Sequence, residues 1–436
     1  MSTYVDAVRK IVPYRRVGQV TRVTGLALEG DGPDARLGEV CEVVSGVDSH
    51  VQFAEVVSVQ LGRVVLMPYG STHGVGVGTR IVATGEAPRV GVGRALLGRV
   101  VDAFGAPLDG RGSIVTPAQY PLYPAPRNPL DRSPIERRLP TGLRVLDALL
   151  PLGRGQRLGI FAGSGVGKSS LLGMLSRNVR ADVNVVALIG ERGREVQEFM
   201  QRCLDVGALG RTVVVAATSD QPAVVRARAA YAATAIAEYF RDQGASVFLM
   251  MDSVTRFAMA RREIDLAAGQ PPTARGYTPS VFTEIPALCE RCGTGRGEGS
   301  ITAVYTVLVE GDDHNEPIAD TLRATLDGHI VLTRELAHQG HFPAIDVLQS
   351  ISRLEARLLS DRERALQARA RTLLASHAKH REMVDMGLYK SGANPTLDEA
   401  LQRMPALQSF LRQALDEQSS TEDTARGLAA ALGERG

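Results

Sequence analysis

A mostly parallel α/β core, preceded by a small β-barrel and followed by a helical domain, is the architecture the sequence predicts. Three observations predict it. Between about residues 141 and 350, apolar strand-like runs alternate with helical patterns, as expected of a parallel sheet covered by helices. Ahead of that stretch lie short strand patterns punctuated by Gly, Asp and Pro clusters. Beyond about residue 351, leucines recur at helical spacing and strand signals vanish. The chain has 436 residues, more than one ordinary core, so two or three domains are expected. Its 44% apolar content is enough to fill them.

Residues 1–15 form an N-terminal segment in which Val5, Val8 and Ile11 could share one face of a short helix. Residues 16–88 read as the barrel. Val17, Val20 and Val23 alternate with polar neighbours, runs at 51–57 and 63–67 follow, and Glu29-Gly30-Asp31-Gly32-Pro33-Asp34 marks a turn. Residues 89–350 read as the α/β domain. Its section 117–140 is rich in proline and reads as a linker or meandering cover. Its strand runs are 158–162, 183–189, 212–217, 247–251, 302–309 and 328–332, with an alanine-rich helix over 221–241. Residues 351–436 read as the helical domain, carried by Leu354, Leu358, Leu366, Leu373 and Leu374 and ending in a polar, frayed tail after Glu417.

Composition excludes several classes. The net charge is +2 with both signs interspersed, so nothing draws the chain in bulk to nucleic acid or anionic lipid. No run reaches the roughly 18–20 apolar residues of a membrane span. The start, Met1-Ser2-Thr3-Tyr4-Val5-Asp6, lacks a basic stretch before an apolar one, so the expectation is a cytosolic protein without a secretory signal. Cys41, Cys203, Cys289 and Cys292 are too scattered for a disulfide scaffold. Cys289 and Cys292 have C-x-x-C spacing, but zinc would need two further ligands and no second pair lies nearby.

The central motif is Ala162-Gly163-Ser164-Gly165-Val166-Gly167-Lys168-Ser169-Ser170. It follows an apolar strand and opens a helix, which is the setting a P-loop requires. The glycines let backbone N–H groups turn inward around phosphates, and the helix N-terminus adds its positive dipole end. Lys168 can reach the β- and γ-phosphates, and the Ser169 hydroxyl can ligate Mg²⁺. Ala162 stands where glycine is usual, a change such a loop tolerates.

Two carboxylates argue for hydrolysis as well as binding. Asp252 ends an apolar strand pattern, where it could hold a metal-bound water; the alternative is a polar strand end or helix cap. Glu191, in Gly190-Glu191-Arg192-Gly193-Arg194-Glu195 after another core strand, could orient and deprotonate the attacking water. That stretch reads equally well as a solvated turn.

These segments, with Thr218-Ser219-Asp220-Gln221-Pro222, Met251-Asp252-Ser253-Val254-Thr255-Arg256, Gly276-Tyr277-Thr278-Pro279-Ser280-Val281-Phe282, Glu310-Gly311-Asp312-Asp313 and Pro343-Ala344-Ile345-Asp346, occur in an order that resembles one family. It is the family of rotary ATP synthase subunits and type III export ATPases, and the resemblance spans roughly residues 15–415. It implies a RecA-like P-loop NTPase core that hydrolyses ATP with Mg²⁺, with Glu191 as catalytic base. Arg192 and Glu195 would support the site, Glu195 through water on the metal. Arg353 matches an arginine finger that reaches the γ-phosphate of a neighbouring subunit, which implies a homohexameric ring. Phe342 matches an aromatic that stacks on adenine; core filler is the alternative.

Within the family, Met386-Gly387-Leu388-Tyr389-Lys390-Ser391-Gly392-Ala393-Asn394-Pro395 replaces the acidic lever of rotary catalytic subunits and, with Leu397-Asp398-Glu399-Ala400, resembles the export ATPases. The segments 22–33 and 239–244 favour the flagellar over the injectisome type. The implied partners are a stator-like regulator at the N-terminus, a central stalk, export gate components, export substrates and their chaperones. The implied place is cytoplasmic, peripheral to the inner membrane at the flagellar base. The competing readings are an injectisome ATPase, a proton-translocating rotary subunit and a Rho-like translocase. The last would want basic residues interleaved with aromatics on the barrel. The barrel offers Phe53 and Tyr69 without such a cluster, so no nucleic-acid partner is expected.

Overall fold

A computed structural model of the chain describes residues 15–45, 51–203, 206–309 and 316–434. The N-terminal face of Val5, Val8 and Ile11 and the Glu310–Asp313 motif lie outside the described residues.

Six antiparallel strands close the barrel in the order β1-β2-β5-β4-β3-β6. They are β1 (Val17–Val23), β2 (Leu28–Asp31), β3 (Val40–Val44), β4 (Val51–Gln60), β5 (Arg63–Pro68) and β6 (Arg80–Ala83). Alternation sends Val20, Leu28, Val43, Val56, Leu66 and Ile81 into one interior. Gly18 is obligatory there: a Cβ would lie 2.2 Å from the Gly32 backbone, where the turn before Pro33 crosses β1.

β7 (Arg89–Val92) pairs with β9 (Ala118–Pro121) in a two-stranded ribbon. The main sheet contains β8 (Val100–Val101), β10 (Arg157–Ala162), β11 (Val183–Glu191), β12 (Thr212–Thr218), β13 (Ser246–Asp252), β14 (Gly293–Thr294), β15 (Ser300–Leu308), β16 (Gly328–Leu332) and β17 (Ile345–Ser352). Its order is β17-β16-β10-β15-β13-β11-β12-β8, with β14 against β15. Every pair from β16 to β8 is parallel, whereas β17 and β14 are antiparallel additions. β11 and β13 are buried along their whole length, which is why they read as unbroken apolar runs.

Helices cover both faces. α1 (Lys168–Asn178) and α2 (Gly193–Cys203) lie on one, α3 (Ala223–Asp242) on the other. The alanines of α3 let its backbone pack closely on β11, β12 and β13. Val185, Ala187 and Ile189 of β11 join the α3 core. Val186 and Leu188 join the core of α1, which continues into the C-terminal helices α4 (Asp361–Asp385), α5 (Pro395–Leu411) and α6 (Thr421–Ala431) through Leu366, Leu407 and Leu428. Ser360 and Glu363 close a capping box at the start of α4, and Asn394 caps α5.

The structure corrects three expectations. The chain after Glu417 is not a frayed tail. Ser420 caps α6, its acidic first turn is the solvated helix start, and Leu428, Ala429 and Leu432 are buried. The proline-rich stretch contributes β9, because the edge of a two-stranded ribbon tolerates Pro121. Strand structure also outlasts residue 351: β17 runs to Ser352 on the sheet edge, half of its residues exposed or partly so, and its polar positions hide the strand period. Leu428→Ala should therefore cost about 2–4 kcal/mol of stability. Thermal or urea unfolding measures this; an unchanged midpoint would restore the frayed tail.

Candidate nucleotide site

The site lies at the C-terminal ends of the parallel strands, where α/β sheets place their ligands. β10 leads into the loop, and Gly165 and Gly167 adopt left-handed φ of +80° and +89°. Gly167 has a second constraint: a Cβ there would sit 3.4 Å from the Phe342 ring. Lys168 opens α1 and turns back toward β13, which is two strands away in the sheet.

Its ammonium lies 2.5 Å from Asp252 Oδ1 and 3.8 Å from Glu191 Oε1. The hydroxyl of Thr306, on the intervening β15, donates to the same Asp252 oxygen at 2.6 Å. Burial works against the charge on Lys168, but Asp252 and Glu191 more than offset it and hold its pKa above the ordinary value. Burial pushes the Glu191 carboxyl up to about 8, helped by a hydrogen bond with Glu195 and the charge of Asp252. That same hydrogen bond, first among the causes, lowers Glu195. Between the two carboxyls, burial therefore favours the proton on Glu191, the more buried of the pair.

One cavity of about 590 Å³ gathers Ala162–Gly165 and Gly167–Ser170 with Glu191, Arg192, Glu195, Arg256 and Arg334. Val166 is buried beneath the loop. Four cationic side chains thus face a space floored by inward-turned backbone, the complement of a polyphosphate. Arg192 is mostly exposed and lies 3.8 Å from Glu195. Phe342 is 43% exposed and closes the loop side.

Arg353 is not part of this gathering. β17 runs antiparallel to β16 and ends with Ser352 beside Gly328, at the opposite end of the sheet from the P-loop. There the exposed Arg353 donates from its guanidinium to the Arg323 carbonyl. Cys289 and Cys292 are buried and free, with Cys292 Sγ 3.1 Å from the Tyr305 hydroxyl. Among the described residues no group of three His, Cys, Asp or Glu forms a metal cage.

Three site residues escaped the sequence reading. Arg256 stood in the quoted Asp252 segment, one helical turn on; its side chain packs over Gly190, where a Cβ would lie 3.1 Å away. Thr306 looked like one more strand residue, and Arg334 like one more surface cation. Only the sheet order brings them in.

Fold and site together define a P-loop ATPase with a barrel ahead of its α/β core and helices behind it. Residues 20–85 match the model of the ATP synthase alpha/beta family beta-barrel domain, 142–352 that of the family's nucleotide-binding domain, and 359–430 the T3SS EscN ATPase C-terminal domain. The flagellum-specific ATP synthase of Bacillus subtilis is 49% identical over 98% of both chains. That of Treponema pallidum is 51% identical over 99% of this chain and 96% of its own. The assembled ATPase EscN of the enteropathogenic E. coli type III secretion system superposes with a TM-score of 0.91 at 42% identity, covering 95% of this chain and 100% of that one. The chain belongs to the ATP synthase alpha/beta family, in its branch of flagellar and type III secretion export ATPases, and it is an ATP hydrolase.

The raised Glu191 pKa has a thermodynamic consequence. Between the ordinary carboxylate range and about pH 8 the folded, nucleotide-free chain keeps a proton that the unfolded chain has lost. That stability is complete at low pH and disappears as pH rises through about 8. Urea unfolding at about pH 6 and pH 9 should show the wild type losing on the order of 1–3 kcal/mol more than Glu191→Gln. Equal losses would mean that Glu191 titrates as an ordinary surface acid.

Proposed function

We propose that this chain hydrolyses Mg-ATP at the subunit interfaces of a homohexameric ring to energise flagellar protein export. The observation that carries the chemistry is Lys168 held between Asp252 and Glu191. The β- and γ-phosphates replace the carboxylates as partners of a lysine already desolvated for them. The Ser169 hydroxyl, Asp252 and, through water, Glu195 would hold Mg²⁺. So small a set suits an ion that keeps much of its shell in water and phosphate. When bound there, Mg²⁺ would supply neutralisation of the negative charge on the phosphates. Glu191 Oε1 is buried without a hydrogen-bond partner and is the atom that orients the attacking water and takes its proton. Arg192 and Arg256 steady the phosphates, and Phe342 stacks on the base against Gly167.

The ring follows from Arg353. Its guanidinium is exposed at the end of the sheet away from its own P-loop, which supports a role at a neighbour's. The position of Arg353 and the assembled state named for EscN both support this reading. A structure of EscN in complex with its central stalk EscO supports a stalk partner here; export substrates, chaperones and gate components are proposed partners on which that structure does not bear. No helix among the described residues is long and apolar enough to cross a membrane. A peripheral place on the inner membrane at the flagellar base is part of this proposal.

Injectisome export is the second reading. A type 3 secretion system ATPase of Xanthomonas euvesicatoria is 48% identical over 94% of this chain. Deleting the gene distinguishes them: loss of motility with filament export supports the flagellar reading, and intact motility overturns it. At the site, Glu191→Gln should bind ATP but turn over about 10²–10⁴-fold more slowly. Wild-type activity per subunit should rise with protein concentration as rings form. Arg353→Ala should abolish that rise and cost about 10³-fold in rate while leaving nucleotide binding intact. Concentration-independent wild-type activity would refute the interface.

A further inference from the structure

We propose that Gln413 is a positioning residue for nucleotide-base recognition, holding Phe342 against the P-loop through the backbone. The inference deepens the reading of Phe342 as the base-stacking side chain and rests on it.

Residues 412–419, between α5 and α6 of the helical domain, form a strap that lies against the nucleotide domain. Gln413 is 4% exposed, and each of its side-chain polar atoms is used. Its Oε1 accepts from the Arg144 backbone N–H at 2.8 Å. Its Nε2 donates to the carbonyls of Gly142 at 2.8 Å and Glu417 at 3.0 Å. Its own backbone N–H, so fixed, donates to the Phe342 carbonyl at 2.9 Å. The Arg144 guanidinium clamps the strap again, donating to the carbonyls of Phe410 and Arg412 and to the Glu417 carboxylate. From the P-loop helix, Arg177 donates to the Leu415 carbonyl at 2.6 Å.

Phe342 needs such a tether. It follows His341 on an irregular segment between a short helix over Arg334–His338 and β17, and its ring is half exposed. The contact with Gly167 alone does not set the ring's distance from a bound base. A buried amide with three hydrogen bonds to main chain is a stiff anchor, and losing it leaves buried acceptors unpaired. The Phe342 carbonyl then has a partner free to drift, and the ring loses its stop.

The test separates base from phosphates. Binding of ADP and of pyrophosphate to the full chain is measured by calorimetry for wild type, Gln413→Ala, Gln413→Glu, Phe342→Ala and the Phe342→Ala/Gln413→Ala pair. Gln413→Glu keeps the volume but loses both donors, so it reports the same defect if the alanine variant fails to fold. Both Gln413 variants should weaken ADP about fivefold and leave pyrophosphate unchanged. Phe342→Ala should do the same, and the double variant no more, because the two residues act as one unit. Equal weakening of ADP and pyrophosphate by the Gln413 variants, or of neither, overturns the inference while the stacking role of Phe342 stands. If Phe342→Ala itself spares ADP, the stacking reading falls and takes this inference with it.

Discussion

The contact of Lys168 with Asp252 is the constraint from which the rest of the site follows. The two residues sit on elements whose strands, β10 and β13, are separated by β15. At strand spacing that gap is about 10 Å, which a lysine at a helix N-terminus can cross. Thr306, from the strand between, closes the gap by hydrogen bonding the same carboxylate oxygen. Glu191, one strand beyond β13, completes a row along a single edge of the sheet. A lone buried cation would be costly, as would two buried carboxylates. The row avoids both by setting one lysine against Asp252 and against Glu191, whose carboxyl burial pushes up. A polyphosphate entering this row meets a lysine that has already lost its water.

Those features were legible because they are local. A glycine loop between an apolar strand and a helix, and acids at the ends of two buried strands, need no tertiary information to be recognised. The barrel, the six strand runs and the C-terminal helices were legible for the same reason: burial on both faces or on one face writes a period into the residues. The role of Glu191 was not decided by its residues alone, since a charged turn after a strand has the same appearance. The fold buries Glu191, so it does not sit in a solvated turn.

What stayed hidden depends on pairing between distant segments. β17 carries Gln349, Ser350 and Ser352 where an interior strand would carry apolar residues, because it is an edge strand. Arg334 becomes part of the site only because β16 lies next to β10. Gln413 looks like any polar residue between two helices until Gly142, Arg144 and Phe342 are brought around it, from positions roughly 70 to 270 residues away in sequence. The helix after Glu417 was missed for a different reason. Its N-terminal cap and acidic first turn make the segment polar on average, and the apolar residues that hold it down come only in its last turns.

The two faces of the sheet are built for different tasks. On the α3 side, the apolar core ends at a polar junction with the barrel. There the buried Glu55 accepts hydrogen bonds from Tyr69 and from Tyr123 beyond the barrel, and the Arg228 guanidinium of α3 packs over Tyr69 and Phe104. Directional bonds and a cation held between rings specify one geometry and resist sliding. On the opposite face, one apolar cluster reaches from Leu171 and Leu175 of the P-loop helix to Leu366, Leu407 and Leu428 of the helical domain. Close-packed apolar interiors transmit displacement, since they have no voids to absorb it. Any shift of α1 would therefore be passed to α4 to α6 through that shared core. The strap through Gln413 lies on that same face, so it ties the backbone of Phe342, beside the P-loop, to the helical domain.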